Sequence, residues 1–130
     1  MTAQLPALIT ALTVLLQIWV ALRVGSARGK FGIEAPATTG HPEFERAFRV
    51  QMNTIESTLV FLPSLWLFAL YLSNLWAGLF GAAWLVGRVL YAVTYQRDPK
   101  SRGPGFGIGF LAVVALLGGG VFGVLRAMFA

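Results

Sequence analysis

Four stretches of this chain, beginning at Leu5, Ile55, Leu75 and Phe106, are apolar enough, and long enough or nearly so, to cross a lipid bilayer. They run to about Leu22, Leu72, Val93 and Ala130. Spanning roughly 30 Å of hydrocarbon takes about 20 residues of helix. In lipid every backbone amide must find its partner within its own segment or in a closed barrel, and four segments cannot close a barrel. The sequence therefore predicts an all-α, integral membrane four-helix bundle of up-down topology. It forms one domain over residues 1–130, with helices at about 5–24, 44–72, 75–96 and 105–129.

Composition agrees, since 57% of the residues are hydrophobic and 12% are charged, well outside the range of soluble domains. Met1-Thr2-Ala3-Gln4 carries no basic side chain, so the first apolar run reads as a retained helix rather than a signal peptide.

The connections carry the charge. From Arg23 to about Glu43 the chain is polar and holds Gly25, Gly29, Gly32, Pro36, Gly40 and Pro42, which predicts a loop there rather than a continuous helix. The turn at Ser73-Asn74 is short and uncharged, whereas Gln96 to Pro104 is basic. Of ten Lys and Arg residues, all except Arg126 lie in or beside the first and third connections, counting Arg88 as one to two turns inside the third helix. With an even number of spans both connections share one face. The positive-inside rule makes that face cytoplasmic and sends both termini to the other side. The net charge of +5 follows from this orientation and does not form a nucleic-acid-binding patch.

In the fourth helix Gly105 and Gly109, and Gly119 and Gly123, stand four apart, a spacing that lets membrane helices approach closely and is also common in such helices without a packing role. Pro63 marks an expected kink in the second helix.

Ionisable groups at membrane depth are costly and mark a cavity or a partner. Arg46, Arg49, Asn53 and Glu56 are spaced three, four and three apart, and Arg88, Tyr91 and Tyr95 three and four apart. Each set forms one stripe of a helix near the same membrane face. Together they present guanidinium groups for carboxylates, a carboxylate for an ammonium group, and amide and phenol groups for hydrogen bonds, which suits a small zwitterion. The structural alternative is that Glu56 pairs with Arg49 or Arg88 as scaffold and the tyrosines anchor at the interface. Arg102 by position alone is an ordinary charge of a basic loop. The chain has no cysteine and a single histidine, His41. No metal site is expected, and thiol chemistry requires a thiol from outside.

The segment Gly40-His41-Pro42-Glu43-Phe44-Glu45-Arg46-Ala47-Phe48-Arg49-Val50-Gln51-Met52-Asn53 through Glu56 closely resembles the MAPEG family of membrane proteins in eicosanoid and glutathione metabolism. The branch it resembles is that of the leukotriene C synthases, microsomal glutathione transferases and lipoxygenase-activating proteins. The resemblance extends to Ser26-Ala27-Arg28, Thr38-Thr39-Gly40 and the Arg88, Tyr91, Tyr95, Arg102 series, covering nearly the whole chain.

The resemblance implies a homotrimer with glutathione bound between neighbouring subunits near the cytoplasmic face. By motif position Arg49, Asn53, Glu56, Tyr91 and Tyr95 hold glutathione from one subunit, with Arg88 as a further contact, and Arg28 and Gln51 come from its neighbour. Arg102 takes the place of the arginine that faces the sulfur, where a guanidinium favours the thiolate. The implied function is a glutathione transferase, a glutathione-dependent peroxidase, or both, acting on lipophilic electrophiles or hydroperoxides from the bilayer. Gly29 and Ser57 stand where the leukotriene synthases carry an arginine and a tyrosine, which favours a broader transferase over leukotriene synthesis. The competing readings are a non-catalytic lipid- or partner-binding protein of the same fold and, more remotely, a small proton-coupled exporter using Glu56.

Overall fold

The computed structural model describes residues 3–130; Met1 and Thr2, read above as the uncharged start of a retained helix, lie outside the described residues. Four helices carry the chain: α1 (Gln4–Phe31), α2 (Pro42–Tyr71), α3 (Asn74–Arg97) and α4 (Gly103–Met128), with a single 3₁₀ turn, Pro99–Arg102, leading into α4. No strand occurs among the described residues. Each of the four helices contains a window apolar and long enough to cross a membrane, which makes this a multi-pass integral membrane protein.

α1 is longer than its apolar run. Gly25 and Gly29 do not break it, and the helix continues to Phe31, correcting the loop expected from Arg23 onward. Glycine inside a helix costs only about 0.5–1 kcal/mol relative to alanine, well short of proline's penalty, and helical neighbours on both sides outweigh it. The stop comes at Gly32, whose φ of 66° is left-handed. There the amide of Ile33 returns to the Arg28 carbonyl at 3.0 Å, the closing bond of a Schellman cap. The connection shrinks to residues 32–41.

α2 starts at an extended His41 whose Nδ1 accepts from the Glu43 amide at 3.1 Å, with Pro42 at the first helical position, where its missing N–H is not needed. It continues through Pro63 without a break. Ser73 begins α3 in the same manner, its hydroxyl accepting from the Trp76 amide at 3.2 Å.

α2 and α3 form the middle of the bundle, with α1 packed on one side of the pair and α4 on the other. α1 buries Ile9, Thr13, Leu16, Val20, Val24 and Ala27, a stripe repeating every three or four residues. Polar side chains bridge the helices at membrane depth: Gln17 donates to Thr58 at 2.6 Å, Trp66 to Thr10 at 3.0 Å, and Trp84 to Ser57 at 3.0 Å. Such bonds are worth roughly 0.6 kcal/mol on average in lipid and fix register more than they stabilise. The centre of the core is the Phe61–Trp84 stack, with ring centroids 3.8 Å apart, packed in a cluster with Leu65, Tyr91 and Leu116.

The approach of α4 to α3 rests on glycine. A methyl on Gly105 would strike the backbone of Tyr91, and one on Gly87 would lie 2.8 Å from the amide nitrogen of Gly109. Close backbone contact here brings the start of α4, and the Arg102 that precedes it, against the polar end of α3.

Candidate functional site

Near the charged end of the bundle α2, α3 and α4 enclose a cleft of about 370 Å³, within the usual range of small-molecule sites. Its polar part is lined by Arg49, Asn53 and Glu56 of α2, Arg88 and Tyr91 of α3, and Arg102 at the entrance to α4. Its apolar part is lined by Val60 of α2 and by Phe106, Phe110 and Val113 of α4.

Each polar residue arrives by helical spacing. Arg49, Asn53 and Glu56 share one face of α2, and Arg88 and Tyr91 one face of α3. Asn53 Nδ2 donates to the Tyr91 phenol at 2.6 Å, tying the two faces together. Arg88 is 4% exposed. Its Nη2 donates to Thr54 Oγ1 at 3.0 Å, its guanidinium lies 4.3 Å from the centroid of the Tyr91 ring, and its Nε is buried without a partner. A buried donor left unmade costs about 1–3 kcal/mol, so this corner of the cleft is short of an acceptor.

The scaffold alternative for Glu56 is not realised. Among the described residues the ion pair formed is Lys30–Glu43 at 3.2 Å, and Glu56 pairs with neither Arg49 nor Arg88. Three guanidinium groups and one carboxylate thus line the same cleft beside Arg88's neighbour Tyr91 without neutralising one another.

Other candidates lie elsewhere. Tyr95 stacks on Tyr91 with ring centroids 5.5 Å apart but does not line the cleft. Arg28, in the last turn of α1, donates to the Ala37 carbonyl at 2.8 Å and sits 4.8 Å from the centroid of the Phe44 ring. Gln51 is half-buried on α2 and, like Arg28, takes no part in the cleft. Arg46, read as part of the α2 stripe, instead reaches the carbonyls of Gln96 and Arg97 at 3.4 and 3.3 Å, satisfying the C-terminal end of α3.

Ser57 and the apolar α4 residues were not singled out as part of this site from the sequence. Ser57 follows Asn53 by four and so shares its face, and its hydroxyl accepts from the Trp84 indole at 3.0 Å. Phe106, Gly109, Phe110 and Val113 follow a helical stripe, but the same spacing describes lipid-facing surface. Among the described residues no group of three or more His, Cys, Asp or Glu side chains is arranged to hold a metal ion.

Comparison with known proteins places this geometry in context. The model of the MAPEG family matches residues 6–122. Human microsomal glutathione S-transferase 2 is 40% identical over 114 residues, which cover 86% of this chain and 78% of the human protein. Bovine leukotriene C4 synthase is 41% identical over 94 residues, 72% of this chain and 63% of that protein. An uncharacterized protein of Synechocystis sp. is 47% identical over 120 residues, 92% of this chain and 88% of the relative. With nearly its whole length matched, and with a polar cleft drawn from the segments that carry the resemblance, the chain belongs to the MAPEG family.

Proposed function

We propose that this protein is a glutathione-dependent membrane enzyme, a transferase, a peroxidase or both, that activates the glutathione thiol with Arg102 and delivers it to a lipophilic electrophile or hydroperoxide. The observation that carries the reading is a cleft whose charged groups are unpaired at one end and whose other end is apolar. Glutathione offers two carboxylates, one ammonium group and a thiol. In this reading Arg49 and Arg88 take carboxylates, Glu56 takes the ammonium group, and Asn53 and Tyr91 complete the polar contacts, with Tyr95 stacked on Tyr91 from outside the cleft.

Arg102, exposed at the entrance to α4, lines the cleft one helical turn before the apolar Phe106. A guanidinium there lowers the thiol pKa from its ordinary value of about 8.5, so that more thiolate is present at neutral pH. In conjugation the thiolate forms a carbon–sulfur bond while the electrophile's leaving group departs with the electron pair. In hydroperoxide reduction one glutathione attacks the peroxide oxygen and a second closes the disulfide, leaving alcohol and water. Val60, Phe106, Phe110 and Val113 would receive the apolar co-substrate and keep water from the sulfur.

The proposal includes a homotrimer of subunits crossing the membrane up and down, with the charged connections on the cytoplasmic side and both termini opposite. Support for the crossing pattern comes from paired residues such as Thr10 with Trp66 and Gln17 with Thr58. Arg28 and Gln51 complete the site of a neighbouring subunit, a role compatible with their absence from their own cleft.

The test is the ultraviolet thiolate difference spectrum on adding glutathione to the detergent-purified protein. A thiolate band at neutral pH that is lost in Arg102→Ala is the expected result. No band in either protein overturns the catalytic reading.

A further inference from the structure

A second polar cavity, of about 180 Å³, lies between α1, α2 and α3, lined by Arg23, Ser26, Ala27, Glu43, Ala47 and Gln96. It shares no residue with the first cleft. Glu43 and Gln96 lie within two residues of helix ends, at the charged end of the bundle, which is where lipid head groups meet the protein.

Two of its atoms are buried without partners, and they are of opposite kind. Arg23 Nη1 is a donor and Gln96 Oε1 an acceptor, and neither makes a hydrogen bond. The Gln96 amide is held in place from its other side, its Nε2 donating to the Glu43 carbonyl at 2.9 Å. Arg23 lies 4.9 Å from the centroid of the Trp19 ring, and among the described residues no carboxylate pairs with it, since the nearby Glu43 is engaged by Lys30 at 3.2 Å. Each such orphan costs about 1–3 kcal/mol unless something supplies its partner.

We propose that this cavity binds a phosphoethanolamine group, as carried by a phosphatidylethanolamine lipid. The phosphate accepts from Arg23, assisted by the hydroxyl of Ser26. The ammonium group donates to Gln96 Oε1. A purely anionic group fits less well, because it leaves the Gln96 oxygen without a donor. A quaternary ammonium fits less well because it has no N–H to give. In the bilayer the acyl chains of such a lipid run along the apolar outer surface of α1, where Leu15, Ile18 and Leu22 are exposed.

The test uses the full-length protein, delipidated in detergent and titrated with dioleoyl phosphatidylethanolamine, phosphatidylcholine or phosphatidylglycerol while bound lipid is counted by native mass spectrometry. Wild type should hold phosphatidylethanolamine about tenfold more tightly than either Arg23→Gln or Gln96→Leu, the loss expected for one charge-assisted hydrogen bond. Soluble O-phosphoethanolamine separates the sources: displacement of the lipid assigns the site to the head group alone, and lipid binding without displacement assigns it to the lipid. Equal binding by wild type and both variants overturns the proposal and leaves the cavity to water. Phosphatidylglycerol held as tightly as phosphatidylethanolamine overturns it too, since the ammonium half then plays no part. If one variant fails to elute as wild type does, the other carries the test. Glutathione binding, measured on the same variants, should be unchanged, which separates this site from the first.

Discussion

Asn53 of α2 donates a 2.6 Å hydrogen bond to the phenol of Tyr91 on α3, and this bond joins the two polar stripes that the sequence presents on separate helices. It holds the Tyr91 ring under the Arg88 guanidinium and so fixes the floor of the cleft. Removing either partner should loosen that floor. Tyr91→Phe and Asn53→Ala are each expected to weaken glutathione binding by roughly tenfold, about 1–2 kcal/mol. The double variant should be little worse than either single one, because both remove the same bond. Calorimetric titration of glutathione checks this, and full additivity would mean that the two residues act independently.

Thr54 is buried and takes no part in the cleft surface, yet its hydroxyl accepts a hydrogen bond from Arg88 Nη2 at 3.0 Å. Thr54→Val keeps the shape and strands the charge. It should destabilise the detergent-solubilised protein by roughly 1–3 kcal/mol. Adding Arg88→Met should recover much of that stability, since an apolar pair of similar volume leaves no charge to desolvate. Thermal unfolding of the two variants decides it, and glutathione binding should fall in the double variant, which lacks the Arg88 guanidinium.

Gly105 and Gly107 make a controlled pair on α4. A methyl at Gly105 meets the Tyr91 backbone, whereas one at Gly107 meets nothing within 4 Å. Gly105→Ala should push α4 away from α3, widen the cleft and lower both stability and thiolate formation. Gly107→Ala should be neutral or slightly stabilising, by up to about 1 kcal/mol. Equal effects in melting and thiolate assays would mean that the α3–α4 approach does not set the site.

The same logic applies to α1. Gly25 and Gly29 are helical and a methyl at either meets open space. Gly25→Ala and Gly29→Ala should each raise stability by about 0.5–1 kcal/mol through reduced freedom of the unfolded chain. A loss in melting temperature would mean that these glycines face another chain.

Thiol activation has a direction with pH. If Arg102 favours the thiolate, turnover should rise with pH through an apparent pKa below the free thiol value of about 8.5, and Arg102→Ala should move that rise back toward it. Rates measured across pH 6–9 should converge at the alkaline end, where the thiol ionises without help. A parallel loss at every pH would assign Arg102 to binding alone.

Much of this protein is decided by local pattern. Four apolar runs in a chain with so little charge admit helices and nothing else, because hydrocarbon offers the backbone no partners. The spacing of Arg49, Asn53 and Glu56, and of Arg88 and Tyr91, places each set on one helical face regardless of what surrounds it. What the sequence leaves open is which faces meet. Gly25 and Gly29 read as breakers because propensity is local, while the helix that spans them is held by its neighbours on both sides and stops only at Gly32, where the backbone turns left-handed. Arg46 and Arg49 look equivalent in the stripe, yet Arg46 turns to the free carbonyls at the end of α3 and Arg49 to the cleft. Phe106 and Phe110 become cleft residues only because Gly105 lets α4 close on α3. Spacing along a helix is fixed by its pitch, and so it can be read from sequence. Contact between helices depends on which side chains clear one another in three dimensions, and that is settled only when the helices pack.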